Sequence, residues 1–253
     1  MTESGFAHMT FVEHLAELRS RIVKSLLGVA AGALIVLLAY EFILDLLVQP
    51  YVDLCERQPS LKCNGSLYSL GPVEGFTARM RISAYGGLIL AFPVVTWQVW
   101  RFIVPALSKR ERRYSRAFIV AAVLLFAAGA ALAYWTLGRA LEFLIGWAGQ
   151  DITQAFQITK YVGLVGLMMA AFGVGFLAPL LVVFLQLVEV VTPTTLLKQW
   201  RTAILVILVL AAVITPSGDP VSLAALAVPM IILYAIAIGI GALVMWRRRK
   251  RQR

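Results

Sequence analysis

Charge is missing from six long stretches of this chain: residues 25–40, 82–100, 117–138, 161–188, 202–218 and 220–246 hold no Asp, Glu, Lys or Arg, and together they take up about half of the 253 residues. Histidine and cysteine are scarce as well, with two of each, and both histidines (His8 and His14) precede the first uncharged stretch. These absences exclude several kinds of chemistry. A Ser-His, paired-aspartate or His-metal hydrolase working within the stretches would have no base, acid or ligand there. An ion-coupled transporter would lack the costly intramembrane ionisable group that carries its ion or proton. The sequence implies a protein that is not an enzyme, with no catalytic residue, no metal site, no cofactor and no nucleotide-binding motif.

What fills the stretches is apolar: 60% of the chain is hydrophobic and 14% charged, a composition of membrane proteins rather than of soluble domains. A helix crosses ~30 Å of hydrocarbon with roughly 20 mainly apolar residues, somewhat shorter spans being tolerated. Within lipid only a helix or a closed barrel satisfies its own backbone groups. The reading is an all-α integral membrane protein, a single domain over residues 1–253, with six transmembrane helices in a curved bundle and both termini cytoplasmic. An amphipathic helix at about 10–21 leads into spans at about 22–42, 77–101, 116–138, 160–188, 201–216 and 222–246, with a basic tail at 247–253. Pro93 and Pro179 fall inside the second and fourth spans and are expected to kink them. The fifth uncharged run makes ~26 Å of helix, short of the hydrocarbon core. The first 21 residues are mixed polar and show no cleavable leader, so the first apolar run is expected to stay as an anchor.

The 23 Lys and Arg outnumber the 13 Asp and Glu, for a net charge of +10. Such a balance in a soluble protein would point to nucleic acid; here its distribution sets orientation, and no nucleic-acid partner is expected. With six spans and both ends inside, the cytoplasmic face collects Arg19, Arg21 and Lys24, six basic residues from Arg101 to Arg116, Lys198, Arg201 and the six of the tail. Arg57, Lys62, Arg79, Arg81, Arg139 and Lys160 are left for the other face. Trp97, Trp100, Trp135, Trp200 and Trp246 lie at or near the expected water interfaces, where an amphipathic ring is most favourable. The two cysteines, Cys55 and Cys63, share the first external segment, DLCERQPSLKCNGS. They are a candidate disulfide across a turn containing Pro59, or two unpaired small residues.

Polar residues gather on the cytoplasmic face. In FVEHLAELRSRIVK, Phe11, Leu15, Leu18 and Ile22 form one apolar helical stripe, and Glu13, Glu17, Ser20 and Lys24 repeat the spacing on the opposite side. This describes an amphipathic helix lying on the interface, its carboxylates facing the cytoplasm. Glu17 can serve as an acceptor for a partner, or pair with Arg21 four residues on, in the favourable order for a helix. The second polar segment, PALSKRERRYSR, is basic as topology demands, and Glu111 is its one carboxylate.

HLAELRSR, Pro50, the PVEGF segment with Pro72 and Glu74, WRFIVPALSKRERR, and TPSGDPVSLAALAVPM with Asp219 follow one another in this order on the six spans. From about His14 to Met230 the chain thereby resembles the TatC family, the polytopic receptor subunit of the twin-arginine protein translocase. The resemblance implies a receptor and scaffold in the plasma (inner) membrane that binds Arg-Arg signal peptides of folded precursors. It implies further partners: small single-span subunits of the TatA and TatB type, within an oligomeric complex embedded in the lipid bilayer. By position, the family's signal-contacting residues fall on Glu17, Arg19, Phe102 and Glu111, with Glu13, His14, Arg21 and Pro105 supporting the cytoplasmic face and Pro50, Pro72, Glu74 and Asp219 in external loops. A small-solute permease or channel subunit is the alternative that six spans alone leave open. The chain departs from the family at one place. A glutamate that the family often carries at membrane depth in helix four is matched by Leu177, and its partners on helices five and six by Thr215 and Leu223. Gln186 is expected to be no substitute, since nine residues of ideal helix put it about 180° round and ~13 Å along.

The charge distribution predicts that single cysteines replacing Glu111 or Lys198, in a background without Cys55 and Cys63, resist a membrane-impermeant thiol reagent in intact cells, while Glu74→Cys and Asp151→Cys react. Labelling of position 111 from outside would overturn this orientation.

Overall fold

The computed structural model describes residues 11–58, 65–104, 115–148 and 155–252. Its elements in chain order are α1 (Phe11–Leu38), α2 (Tyr40–Arg57), β1 (Leu67–Tyr68), α3 (Glu74–Ile103), α4 (Ser115–Ala148), β2 (Phe156–Gln157), α5 (Ile158–Gly175), α6 (Ala178–Leu187), α7 (Pro193–Lys198), α8 (Trp200–Ile214) and α9 (Pro220–Gln252). Among these residues, five helical stretches are long and apolar enough to cross a membrane: Val12–Leu38, Glu74–Ile103, Ser115–Trp147, Ile158–Leu187 and Pro220–Met245. A sixth apolar helix, Trp200–Ile214, is shorter. Large apolar side chains point away from the protein along these helices, with Leu38 83% and Val213 78% exposed. In water such a surface would be a liability; against lipid it is the expected exterior.

The helices depart from the sequence reading in four places, each for a local reason. The amphipathic segment and first span are one unbroken helix, α1, because no Gly or Pro interrupts residues 11–27. The expected external loop after it begins instead with a further helix, α2, which buries Tyr40, Leu47, Tyr51, Leu54 and Cys55 along one face. Pro50 sits inside α2 and has no N–H to offer the carbonyl of Leu46. Tyr134 Oη donates to that carbonyl instead at 2.8 Å, and Tyr161 Oη donates to the neighbouring Leu47 carbonyl at 2.9 Å. α4 continues about three turns past residue 138. Finally, the fourth span is broken rather than bent: α5 ends at Gly175 and α6 opens at Ala178 with Pro179 in its first turn. Pro93, by contrast, lies within a continuous α3.

The packing that organises one half of the molecule is that of α1 against α3, which run antiparallel. Gly28 meets Val94, Gly32 meets Gly87, and Gly86 meets Val36, so the backbones approach at residues without side chains. A Cβ on Gly87 would lie 2.5 Å from the backbone nitrogen of Ala33, and one on Gly32 would lie 2.8 Å from the Gly87 carbonyl oxygen. α5 closes on α4 in the same manner: Gly173 accommodates the ring of Phe126, which stacks on Phe92 at 3.7 Å.

The end of the bundle that holds α2 is stitched across its connections. β1 and β2 pair in parallel, Leu67 with Phe156 and Tyr68 with Gln157. Tyr51 is fully buried there, edge-on to Phe156 at 5.0 Å. Burial, with a smaller contribution from Tyr68, pushes the Tyr51 phenol above its ordinary range. Cys55 is buried and disulfide-bonded; Cys63, the other cysteine of the chain, lies outside the described residues.

Gly87→Ala is expected to destabilise the purified protein by roughly 1–3 kcal/mol, because α1 and α3 must separate to admit the methyl group. Gly239→Ala is the control, since nothing lies within 4 Å of a Cβ there. Thermal unfolding in detergent should show a lower midpoint for the first variant and no loss for the second.

Candidate functional site

The antiparallel register of α1 and α3 sets the first turns of α1 beside the last turns of α3. His14 stacks on Phe102 with ring centroids 4.3 Å apart and planes inclined by 17°. Two turns further along α1, Arg21 Nη2 donates back to Glu17 Oε1 at 3.0 Å. Arg21 Nη1 donates across the helix pair to Gln98 Oε1 at 3.2 Å. The side chains of Glu17 and Arg21 are each only 18% exposed. Glu17 Oε2 and Arg21 Nε are buried and have no hydrogen-bond partner among the described residues.

This arrangement follows the expected amphipathicity only in part. Glu13, Ser20 and Lys24 of the expected polar stripe are exposed, but Glu17 turns toward α3 with Arg21 and half-buried Leu18, whereas Leu15 and Ile22 of the apolar stripe are 48% and 50% exposed. Glu17 is therefore not displayed to bulk solvent. At the rim of a membrane domain the outward environment is itself apolar, so polar groups gain more by finding one another inside.

Beside Glu17 opens a cavity of about 490 Å³, walled by Arg21, Trp97, Trp100, Arg101, Ser115 and Arg116 together with Val104 and Ile119. Trp100 is held in place by stacking on Phe118 at 5.2 Å and by the edge of Phe184 at 5.8 Å, which ties α3, α4 and α6 together at this end. Trp100 Nε1 and Ser115 Oγ are likewise buried without a partner among the described residues. Glu17 Oε2 is thus a ready acceptor for a cationic donor, with unused donors around it for a carbonyl or hydroxyl of the same ligand.

Of the residues expected from the sequence, the structure brings together Glu17, Arg21, His14 and Phe102. Glu13 is exposed one turn before Glu17. Arg19 is exposed and about 200° round α1 from Glu17, so it does not face the cavity. Glu111 and Pro105 lie outside the described residues. Gln98, Trp100 and Ser115 were not anticipated; Gln98 could have been noticed as a polar residue among apolar ones in the uncharged run 82–100.

The external-loop residues belong to the opposite end, ~36 Å away along α3. Glu74 opens α3, accepting through Oε1 from Thr159 Oγ1 at 3.3 Å and through Oε2 from the Leu70 amide, while Arg81 Nη1 donates to the Thr159 carbonyl at 3.1 Å. Pro72 lies in the turn that leads into α3. Asp219 is 2% exposed and caps α9: Oδ1 accepts from the Ser222 amide at 2.7 Å and Oδ2 from Ser217 Oγ. The following Pro220 is the favoured first helical residue. At membrane depth, Thr215 is buried and donates to the Ala211 carbonyl at 2.7 Å. Gln186, past the break between α5 and α6, is 1% exposed and donates through Nε2 to the Ala237 carbonyl of α9 at 3.1 Å. Its bond lies well along α9 from Leu223, so it does not occupy the place of Leu177.

Fold and geometry together define a polytopic helical membrane protein with a partly enclosed cleft, lined by charged and aromatic side chains, at one end of its helices. The chain belongs to the TatC family: the model of Sec-independent protein translocase protein (TatC) matches residues 13–229. TatC is a component of a protein translocase, a class of transport proteins. Among its relatives, the Sec-independent protein translocase protein TatC of Frankia casuarinae is 37% identical, the alignment covering 93% of this chain and 66% of that protein. The TatC of Koribacter versatilis is 35% identical over 100% of this chain and 92% of its own length. A crystal structure of the twin-arginine translocase receptor TatC superposes with a TM-score of 0.74 at 32% identity, covering 92% of this chain and 100% of that one.

Capping of α9 by Asp219 yields a test at the far end. Asp219→Ala is expected to cost about 1 kcal/mol of stability and Asp219→Asn much less, since the amide oxygen still accepts from the Ser222 amide. Equal unfolding midpoints for wild type and the alanine variant would refute the capping role.

Proposed function

We propose that the chain is the receptor and core scaffold of a twin-arginine protein export system, not an enzyme, set in the plasma (inner) membrane with six spans and both termini cytoplasmic. On this reading it binds the Arg-Arg signal peptides of folded precursors at the α1–α3 cleft and recruits small single-span subunits. The observation that carries the reading is Glu17 Oε2, a shielded carboxylate oxygen without a partner among the described residues, at the edge of a cavity of about 490 Å³. An arginine side chain offers a rigid planar fork of donors to such an oxygen; a lysine offers only a point charge. Glu111 is proposed as the acceptor of the second arginine. Shielded, charge-assisted bonds contribute roughly 1.5–3 kcal/mol each, against under about 1 kcal/mol for exposed pairs. The apolar part of a signal peptide would supply the remainder by burial on the helices.

The short α8 supports the recruitment part of the proposal. Its 15 residues reach ~22 Å, less than the hydrocarbon core. Along it runs an apolar groove of about 350 Å³ whose walls include Pro179, Val182, Ala203, Ile207, Met230 and Tyr234. A partner's single helix laid in this groove would shelter α8 from the thickness mismatch.

The test is a titration of an Arg-Arg signal peptide against the protein in nanodiscs. Glu17→Ala and Glu111→Ala are each expected to weaken binding about ten-fold or more, with Glu13→Ala close to wild type. A Lys-Lys peptide should bind the wild type poorly. If both alanine variants at 17 and 111 bind as tightly as wild type, the carboxylates are not the arginine acceptors.

A further inference from the structure

We infer that Arg21 and Gln98 are positioning residues that hold the Glu17 carboxylate with one shielded oxygen unpaired, and so set the preference of the site for arginine. The inference rests on the reading of Glu17 as an arginine acceptor and concerns how that acceptor is prepared.

An Arg four residues after a Glu on one helix usually offers only a weak, mobile surface pair. Here the guanidinium is divided between two helices. Nη2 goes to Glu17 Oε1 at 3.0 Å and Nη1 to Gln98 Oε1 at 3.2 Å, a residue 77 positions away in the chain. Because α1 and α3 are locked at Gly32 and Gly87, the bond to Gln98 references the carboxylate to a rigid body rather than to its own helix. The same division decides how many acceptor positions remain. A guanidinium that closed on the carboxylate with both of its amino groups would occupy both oxygens. Gln98 holds Nη1 away and turns the guanidinium so that Nε makes no bond either, and Oε2 is left without a partner among the described residues. A carboxylate has about four lone-pair positions, of which Arg21 uses one. Oε2 and the second position on Oε1 remain for an incoming fork. The ion pair between Glu17 and Arg21 is thus part of the receptor and does not compete with it.

Removing the Gln98 acceptor without altering charge or bulk separates this role from a structural one. In Gln98→Met, Arg21 is free to close on both Glu17 oxygens, and the carboxylate loses its reference to α3. The expected result is roughly three- to ten-fold weaker binding of an Arg-Arg signal peptide, the equivalent of re-immobilising one long side chain. The ratio of Arg-Arg to Lys-Lys affinity should narrow by a similar factor. Gln98→Glu, which still accepts from Arg21 Nη1, should recover Arg-Arg binding to within about two-fold of wild type by restoring the division. A purely structural glutamine would lower the unfolding midpoint of Gln98→Met and leave the affinity of the folded fraction intact. Wild-type affinity and selectivity in folded Gln98→Met would overturn the inference, as would failure of Gln98→Glu to rescue. Glu17→Ala, titrated alongside, tells the two levels apart. If it weakens binding while Gln98→Met does not, only the positioning role fails; if neither weakens binding, the acceptor role of Glu17 fails with it.

Discussion

The contact on which the rest of the structure depends is the close antiparallel approach of α1 and α3 at Gly32 and Gly87. Between helices in lipid there is no hydrophobic drive to associate, because acyl chains are as apolar as leucine; packing and interhelical polar bonds supply the affinity. Residues without a Cβ let the two backbones come near enough for both. Once that crossing is set, the positions on either side of it follow by helical geometry. His14 falls opposite Phe102 and Arg21 opposite Gln98. The cleft beside Glu17 is, in this sense, a consequence of glycines several turns away.

A second constraint is that polar groups removed from water must be paired within the protein, and the far end meets it at most positions, with Tyr51 Oη and Ser222 Oγ unpaired among the described residues. The carbonyl that Pro50 cannot reach is taken by Tyr134, Glu74 answers the Leu70 amide and Thr159, and Asp219 answers the first amides of α9. Gln186 is half answered, its amide donating to α9 and its oxygen unpaired among the described residues. Of the eight buried side-chain atoms left without a partner among the described residues, four belong to Glu17, Arg21, Trp100 and Ser115 around one cavity. The other four, on Tyr51, Thr136, Gln186 and Ser222, are spread through the rest of the fold, so the cavity is where unpaired groups are concentrated.

Much of this was legible in the chain itself. Uncharged apolar runs of membrane-crossing length admit only helices, so the helical membrane class followed without reference to neighbours, as did a disturbance at Pro179, which lacks an N–H for the Gly175 carbonyl, although a kink was expected there and the helix breaks. The ordered motifs carried the family. Glu17, Arg21, His14 and Phe102 were within reach because they lie in those motifs. Three things were not legible. The inward turn of Glu17 and the exposure of Leu15 and Ile22 on α1 were misjudged, since an amphipathic pattern was read as if water lay outside it. α2 was passed over because an acidic, proline-bearing stretch resembles a loop until Tyr134 and Tyr161 are seen supplying donors to its carbonyls. Gln98 gave no signal beyond being polar among apolar neighbours.

The sequence by itself determined the membrane, the helices and the family, because each depends on composition and order along one chain: charge cannot enter hydrocarbon, and a backbone there must bond to itself. The tertiary structure alone decided that Arg21 is shared between Glu17 and Gln98, that Arg19 faces away from the cleft, and that one Glu17 oxygen has no partner among the described residues. Those depend on the register between helices 77 residues apart in the chain, and register is set by where two surfaces fit, which no stretch of either helix contains alone.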